Sequence, residues 1–298
     1  MTLQQLELVL AIADSGSVHG ACSILHKTQP TLTKSLKQLE EEMGVPIFIR
    51  SSRGMTPTAL GLQVLSRARI ICAESIRLKE DIAQTLGEMS GRVSVVVSPL
   101  VAYALMPAIL TEYRKKWPEI ELNISEAVYP EAFNRLRDGR VEMSVGPRPD
   151  QSSREFNEEA LFPTRLVAVA KQGSRYLNGC SNEELSDAAW VVMSSQRGPG
   201  NHYNDIFRLN GVAPPRKVTW LDSFTAFVDF VQRSDSCCMF PEQLLKILPE
   251  SLGLRAIEAF QDSPSVDICL FTRPDHPLTP AAEALARLVR MHGKHFLR

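Results

Sequence analysis

Apolar side chains recur three and four residues apart through the first forty positions. Leu3, Leu6, Leu10 and Ala13 form one such row, Val18, Ala21, Cys22 and Leu25 a second, and Leu32, Leu36 and Leu39 a third. That period predicts three short helices, each with one buried stripe. Gly16 predicts the stop of the first, and Ser17 and Thr28 can cap the second and third. Pro30 falls in the first turn of the third, where a missing N–H costs nothing. The link His26-Lys27 is short. Pro46 to Arg50 and Met55 to Pro57 then read as two extended pieces around the Gly-containing turn Ser51 to Gly54. Two helices joined by a tight turn, followed by a small hairpin, predict a winged helix-turn-helix.

In that arrangement the outer face of the third helix enters a major groove. The face carries Gln29, Thr31, Thr33, Lys34, Lys37 and Gln38, side chains that reach base edges and phosphates. Arg50 and Arg53 sit at the hairpin tip, where they suit phosphate or minor-groove contact. Residues 1–57 hold five Lys/Arg and five Asp/Glu, so the segment is neutral. Neutrality favours a plain helical bundle. The placement of cations on the third helix and hairpin, with the acids outside, favours DNA.

Residues 58–89 contain no proline, and Gly87 comes only near the end. Val64, Ile71 and Leu78 are spaced by seven, as are Ala68, Ser75, Ile82 and Met89, and the two rows alternate as a coiled-coil seam. Such a helix runs about 45 Å, too long to bury its stripe against sixty residues. A second copy is the expected partner, giving a homodimer. Packing on the chain's own C-terminal part is the alternative.

From Gly91 the pattern changes. β-rich runs at Arg92–Ser98, Ile120–Ile124 and Val141–Gly146 alternate with helical stretches at Ala102–Trp117 and Pro130–Arg137. A second set follows at Leu166–Ala170, Trp190–Met193, Lys217–Leu221 and Cys237–Phe240, and the chain closes with a strand at Val266–Thr272 and a helix from about Thr279. This alternation predicts parallel α/β sheets in two lobes of periplasmic-binding-protein type. Ligands in open α/β sheets sit beyond the carboxyl ends of the strands. The loops there nominate Ser98, Leu100, Val128, Arg148, Ser194, Ser195, Asn201, His202 and Ser223 as effector contacts. Arg148 can pair with a carboxylate, so a small organic anion, with an apolar or aromatic body, is the expected effector.

Composition narrows the field further. The formal net charge of −1 announces no global basic field. No signal-like N-terminus and no apolar run long enough to span a bilayer is present, so a cytoplasmic protein with no membrane partner is expected. Cys22, Cys72, Cys180, Cys237, Cys238 and Cys269 are scattered without C-x-x-C spacing, which predicts reduced thiols and no metal site. Six dispersed histidines and the absence of H-E-x-x-H, G-x-x-x-x-G-K and G-x-S-x-G leave no catalytic constellation and no expected cofactor. Two alternatives stay open: an enzyme on binding-protein lobes fused to a helix-turn-helix, and a redox sensor using Cys180 in its polar loop.

The ordered run Gly16-Ser17, Ala21, Thr28-Gln29-Pro30-Thr31-Leu32-Thr33, Leu39-Glu40, Pro46-Ile47-Phe48-Ile49-Arg50 and Thr58-Ala59-Leu60-Gly61 resembles the DNA-binding domain of LysR-type transcriptional regulators. The segment Leu136 to Glu142 into Val145-Gly146-Pro147-Arg148-Pro149 is similar, more diffusely, to the effector domain of that family. Thr28 stands where the family has Ser, and Gly20 where alanine is usual. The resemblance implies a winged helix-turn-helix over 1–58, a linker and dimerisation helix over 59–90, and an effector domain over 91–298. Lobe I would be 91–163 with 267–298, and lobe II 164–266. It implies double-stranded DNA as a partner, contacted by Gln29, Pro30, Thr31, Thr33, Lys34, Lys37, Arg50 and Arg53. It also implies a dimer of dimers, that is, a homotetramer.

Overall fold

The computed structural model describes residues 1–51, 54–149, 155–194, 202–260 and 262–296. Arg53, Ser195 and Asn201 lie outside the described residues. The chain divides into two compact units, Met1–Gly87 with Arg137–Arg140, and Glu88–Leu136 with Val141–Arg298.

The first unit begins with α1 (Leu3–Ser15), α2 (Val18–Leu25) and α3 (Gln29–Met43). Thr2 and Gln5 form a reciprocal cap at the start of α1, and Gly16 ends it at φ 70°. Ser17 Oγ accepts from the Gly20 backbone N–H at 2.9 Å to start α2. Leu6, Val9 and Ile12 of α1 meet Ala21 of α2 and Leu32, Leu36 and Leu39 of α3 in one core. β1 (Phe48–Ser51) and β2 (Gly54–Pro57) pair antiparallel as the hairpin. Met55 N–H donates to the Gly16 carbonyl at 2.8 Å, which docks the hairpin on the turn after α1.

Gly20 is explained by space. A Cβ there would lie 2.6 Å from the Ser15 Cβ, so the close approach of α1 and α2 outweighs the roughly 1 kcal/mol of helix propensity that glycine forfeits.

α4 (Ala59–Thr85) is about 40 Å long. It stops earlier than the apolar heptads predict: Leu86 leaves helical geometry and Gly87 takes φ 98°. The seam is also divided. Leu65 and Ala68, with Val64 and Cys72 beside them, pack into the core of the first unit. Ile71, Leu78 and Ile82 further along are 43%, 63% and 54% exposed.

In the second unit β3 (Gly91–Val97) leads through α5 (Pro99–Ala104) and α6 (Met106–Lys116) to β4 (Ile120–Glu126). One helix was expected over Ala102–Trp117. Pro107 in the first turn of α6 divides it, since proline cannot continue a helix but can open one. Next come α7 (Glu131–Arg137), β5 (Met143–Pro147) and the 15-residue β6 (Asn157–Lys171). α8 (Asn182–Asp187), β7 (Ala189–Met193), α9 (Tyr203–Leu209), β8 (Lys217–Leu221), α10 (Phe224–Arg233) and β9 (Cys237–Pro241) follow. The chain closes with α11 (Glu242–Ile247), β10 (Leu254–Ala256), β11 (Ser265–Thr272) and α12 (Pro280–His295).

The strands order as β4-β3-β5-β11-β6-β9-β7-β8, with β10 beside β6. The expected parallel sheets are mixed. β4, β3 and β5 run parallel, as do β8, β7 and β9, but β11 and β6 enter antiparallel. The reason is connectivity: β6 and β11 carry the chain out of the first half of the sheet and back. β6 pairs with β11 as far as Arg165 and with β9 from Leu166, so one strand belongs to both halves.

Candidate nucleic-acid interface and effector cavity

On α3 the stripe Leu32, Leu36 and Leu39 is buried, and Gln29, Pro30, Thr31, Thr33, Lys34, Lys37 and Gln38 are all exposed. This segregation is what a 3.6-residue period does when one face meets a core. His26 in the left-handed region (φ 51°) lets α2 turn into α3 within three residues. Thr28 is the N-cap residue, but its hydroxyl bonds the Thr31 hydroxyl at 2.9 Å and caps no backbone N–H.

The acids at the far end of α3 are engaged locally. Glu40 accepts from the backbone N–H groups of Ile47 (2.7 Å) and Phe48 (3.2 Å), which fixes the entry to the hairpin. Glu41 pairs with Lys37 at 3.5 Å, an exposed i,i+4 contact worth a few tenths of a kcal/mol. Glu42 pairs with the Met1 ammonium. Arg50 is exposed on β1, opposite Met55.

The second unit holds a cavity of about 160 Å³ between the two halves of its sheet. Ser98, Leu100 and Val128 line it from the first half and His202 from the second, so four of the nominated effector residues are brought together. Ser98 follows β3, and its backbone N–H donates to the Val145 carbonyl at 2.8 Å, which seats it against β5. The Ser98 side chain is 3% exposed, and its Oγ has no hydrogen-bond partner. Such a group costs about 1–3 kcal/mol unless something arrives to pair it.

Three nominated residues do not line the cavity, and each has a structural occupation. Arg148 was expected to hold a carboxylate from the ligand. Its guanidinium instead binds two of the protein's own, Nε to Glu158 at 2.5 Å and Nη1 to Asp267 at 2.8 Å. Partial burial would lower its pKa, but the Glu158 hydrogen bond and the surrounding negative groups outweigh that and raise it. Ser194 is buried with its backbone N–H on the Leu221 carbonyl at 2.9 Å. Ser223 is exposed and caps α10 by accepting from Ala226 N–H.

His202 faces two acceptors, Asp205 Oδ2 from Nδ1 at 3.0 Å and the Arg148 carbonyl from Nε2 at 2.8 Å. Both partners are acceptors, so a neutral ring donates to one of them, and the Nε2 contact spans the two halves beside the cavity.

What sequence reading missed is the wall. Phe224 and Phe227 from α10, Phe240 from β9, Leu244 from α11 and Ile268 from β11 enclose the space. Phe224 and Phe227 have the i,i+3 spacing of an ordinary core stripe, which hides their place on the cavity wall. Thr164 also lines the cavity, with its hydroxyl bonded to Gln243.

Cys180, Cys237 and Cys238 are shifted away from the reactive thiolate form. Cys180 Sγ donates to the Tyr176 carbonyl at 3.2 Å, and its pKa is raised, first by burial and then by Glu184. Burial pushes Cys237 up to about 12, and Cys238 well up. A reactive cysteine needs the opposite shift. Among the described residues no group of His, Cys, Asp and Glu forms a metal site, and no helix is long and apolar enough to cross a membrane.

An exposed polar helix on a winged core, together with a two-part α/β sheet around a small cavity, defines a ligand-responsive DNA-binding regulator. Residues 3–62 match the bacterial regulatory helix-turn-helix of the lysR family, and residues 86–294 match the LysR substrate binding domain. The chain belongs to the LysR family of transcriptional regulators.

Among curated relatives, the transcriptional regulator GbpR of Azospirillum brasilense is 27% identical over 97% of this chain and 86% of its own length. The hydrogen peroxide-inducible genes activator of Pectobacterium carotovorum subsp. carotovorum is 25% identical over 100% and 98%. Of solved structures, the LysR family regulator CbnR aligns at TM-score 0.70 and 18% identity over 99% of this chain and 100% of that one. CbnR with its target DNA aligns at 0.68 and 18% over 98% and 100%. At these identities the structural likeness is one of fold. The relatives are transcriptional regulators and not enzymes.

Proposed function

We propose that α3 reads a duplex major groove with Gln29, Pro30, Thr31, Thr33, Lys34 and Lys37, while Arg50 and Arg53 of the hairpin hold the adjacent backbone. The observation that carries this is the exposure of Gln29, Pro30, Thr31, Thr33, Lys34, Lys37 and Gln38 above a buried leucine stripe. A small molecule in the cavity at Ser98 governs the affinity or geometry of that contact by changing the relation of the two halves of the sheet. The coupling requires the ligand to bind one arrangement better than the other. The boundaries 1–58, 59–90 and 91–298, with lobes meeting near residues 163–164 and 266–267, are the working division for variants, and the site of action is the cytoplasm.

Two copies pair through α4. Ile71, Leu78 and Ile82 form an exposed apolar row that begins beside the last core contact of α4, at Cys72, and a second α4 is the apolar partner that row needs. Two such dimers form the tetramer.

The test is fluorescence anisotropy on a labelled operator fragment at several salt concentrations. Wild-type affinity should fall steeply with salt, because phosphate neutralisation releases counterions. Lys34→Ala and Lys37→Ala should each reduce the slope by about one unit. Unchanged slopes in both would remove α3 from the interface.

A further inference from the structure

The cavity's chemistry points away from the organic anions expected from Arg148. Its volume of about 160 Å³ is close to the roughly 150 Å³ that accommodates one benzene-sized group. Its wall is built from Leu100, Phe224, Phe227, Phe240, Leu244 and Ile268. Among the described lining residues there is no lysine, arginine, aspartate or glutamate.

The polar groups at the wall are mostly committed. Each ring nitrogen of His202 lies within hydrogen-bond distance of an acceptor, Asp205 or the Arg148 carbonyl. The Thr164 hydroxyl is bonded to Gln243. Arg148 is neutralised by Glu158 and Asp267. A carboxylate entering this space would lose its water, and no described lysine or arginine lines the cavity to replace it, which is unfavourable. A neutral group would lose far less. Ser98 Oγ, buried and without a partner, can both donate and accept.

We propose that the effector is a compact uncharged molecule, with an apolar body about the size of one aromatic ring and one hydrogen-bonding group that pairs with Ser98. This rests on the reading of the cavity as the effector site. The class includes ring-bearing alcohols, amides and carbonyl compounds.

The experiment compares the full chain with benzamide and benzyl alcohol against their anionic counterpart benzoate and against succinate, by calorimetric titration and thermal shift. A ligand of the native state raises the melting temperature by mass action. Benzamide or benzyl alcohol should raise it and bind at least about tenfold more tightly than either anion. Ser98→Ala should leave the ligand-free melting temperature unchanged or higher, because it removes an unpaired buried hydroxyl, and should weaken the neutral ligand about three- to tenfold.

Tighter binding of benzoate or succinate overturns the proposal, as does undiminished binding by Ser98→Ala or the absence of any shift with all four compounds. Val128→Phe and Met193→Phe, at two half-buried lining positions, separate this from the underlying reading. If the anions bind and filling the cavity abolishes it, the site stands and only the ligand class falls. Binding that survives both substitutions puts the ligand elsewhere, and the site falls as well.

Discussion

Gly61→Ala inverts an ordinary expectation. Inside a helix, replacing glycine by alanine gains about 1 kcal/mol, and Gly61 lies in the first turn of α4. Yet a Cβ at this position would lie 2.0 Å from the Ile47 carbonyl oxygen. Ile47 cannot retreat easily. Its side chain is fully buried, its N–H is held by Glu40 at 2.7 Å, and its carbonyl accepts from Thr58 N–H at 2.9 Å. Thr58 in turn accepts from Gly61 N–H at 2.8 Å and donates to the Pro46 carbonyl at 2.8 Å. Relieving the overlap requires more than about 1 Å of backbone displacement. That brings overpacking of about 1–3 kcal/mol and the loss of at least one hydrogen bond worth about 0.5–1.5 kcal/mol. After the helical gain the net is a destabilisation of roughly 0.5–3.5 kcal/mol. For a unit of this size each kcal/mol lowers the melting temperature by about 4–8 °C. Differential scanning calorimetry of the full chain, with exposed Gln63→Ala as the propensity control, measures it. An operator titration should show weakened binding, because the displaced Pro46–Phe48 stretch leads into the hairpin. A variant melting at or above wild type would refute the packing argument.

Other substitutions test the remaining parts. Ile71→Glu with Ile82→Glu should yield monomers by sedimentation velocity while the melting temperature of the first unit holds, since both side chains are exposed; a dimeric variant removes the α4 pairing. Arg148→Met should cost about 1 kcal/mol in stability, discounted because the guanidinium is 39% exposed, and leave effector affinity unchanged; lost binding at full stability would return Arg148 to the ligand. With Cys237 and Cys269 pushed up to about 12 by burial, both stay protonated in the native state above pH 9 while the unfolded chain releases its thiol protons. Stability should therefore decline as pH climbs from 9 toward 12, and native alkylation at pH 7.5, followed by mass spectrometry, should spare both thiols. Peroxide should leave operator affinity unchanged in wild type and in Cys180→Ala alike; a peroxide response abolished by Cys180→Ala would instead make the protein a redox sensor.

The DNA-facing part was legible because local signals agree there. Amphipathic period, Ser17 as cap, Gly16 as stop and Pro30 in a first turn all specify the same short helices. The second unit was legible in its strands but not in their directions. Antiparallel entry of β6 and β11 is set by long-range connectivity, which no window of sequence contains. Arg148 misled because its partners, Glu158 and Asp267, are 10 and 119 positions away. The cavity wall stayed hidden because Phe224, Phe227 and Phe240 carry the same pattern whether they face a core or a ligand. The heptad row of α4 was read correctly as apolar, but spacing alone could not say that Val64 and Ala68 would be consumed by the adjacent helices.

The shared strand β6 governs how the cavity can change shape. Loops would let the two sides swing freely, but a 15-residue ribbon hydrogen-bonded to β11 and then to β9 behaves as a leaf spring. It exchanges neighbours at Arg165–Leu166, and its pairing with β11 slips in register at Ile268–Cys269. On the proposed mechanism, deformation there would store elastic energy, so ligand occupancy would be converted into a small twist with a restoring force, released when the ligand leaves.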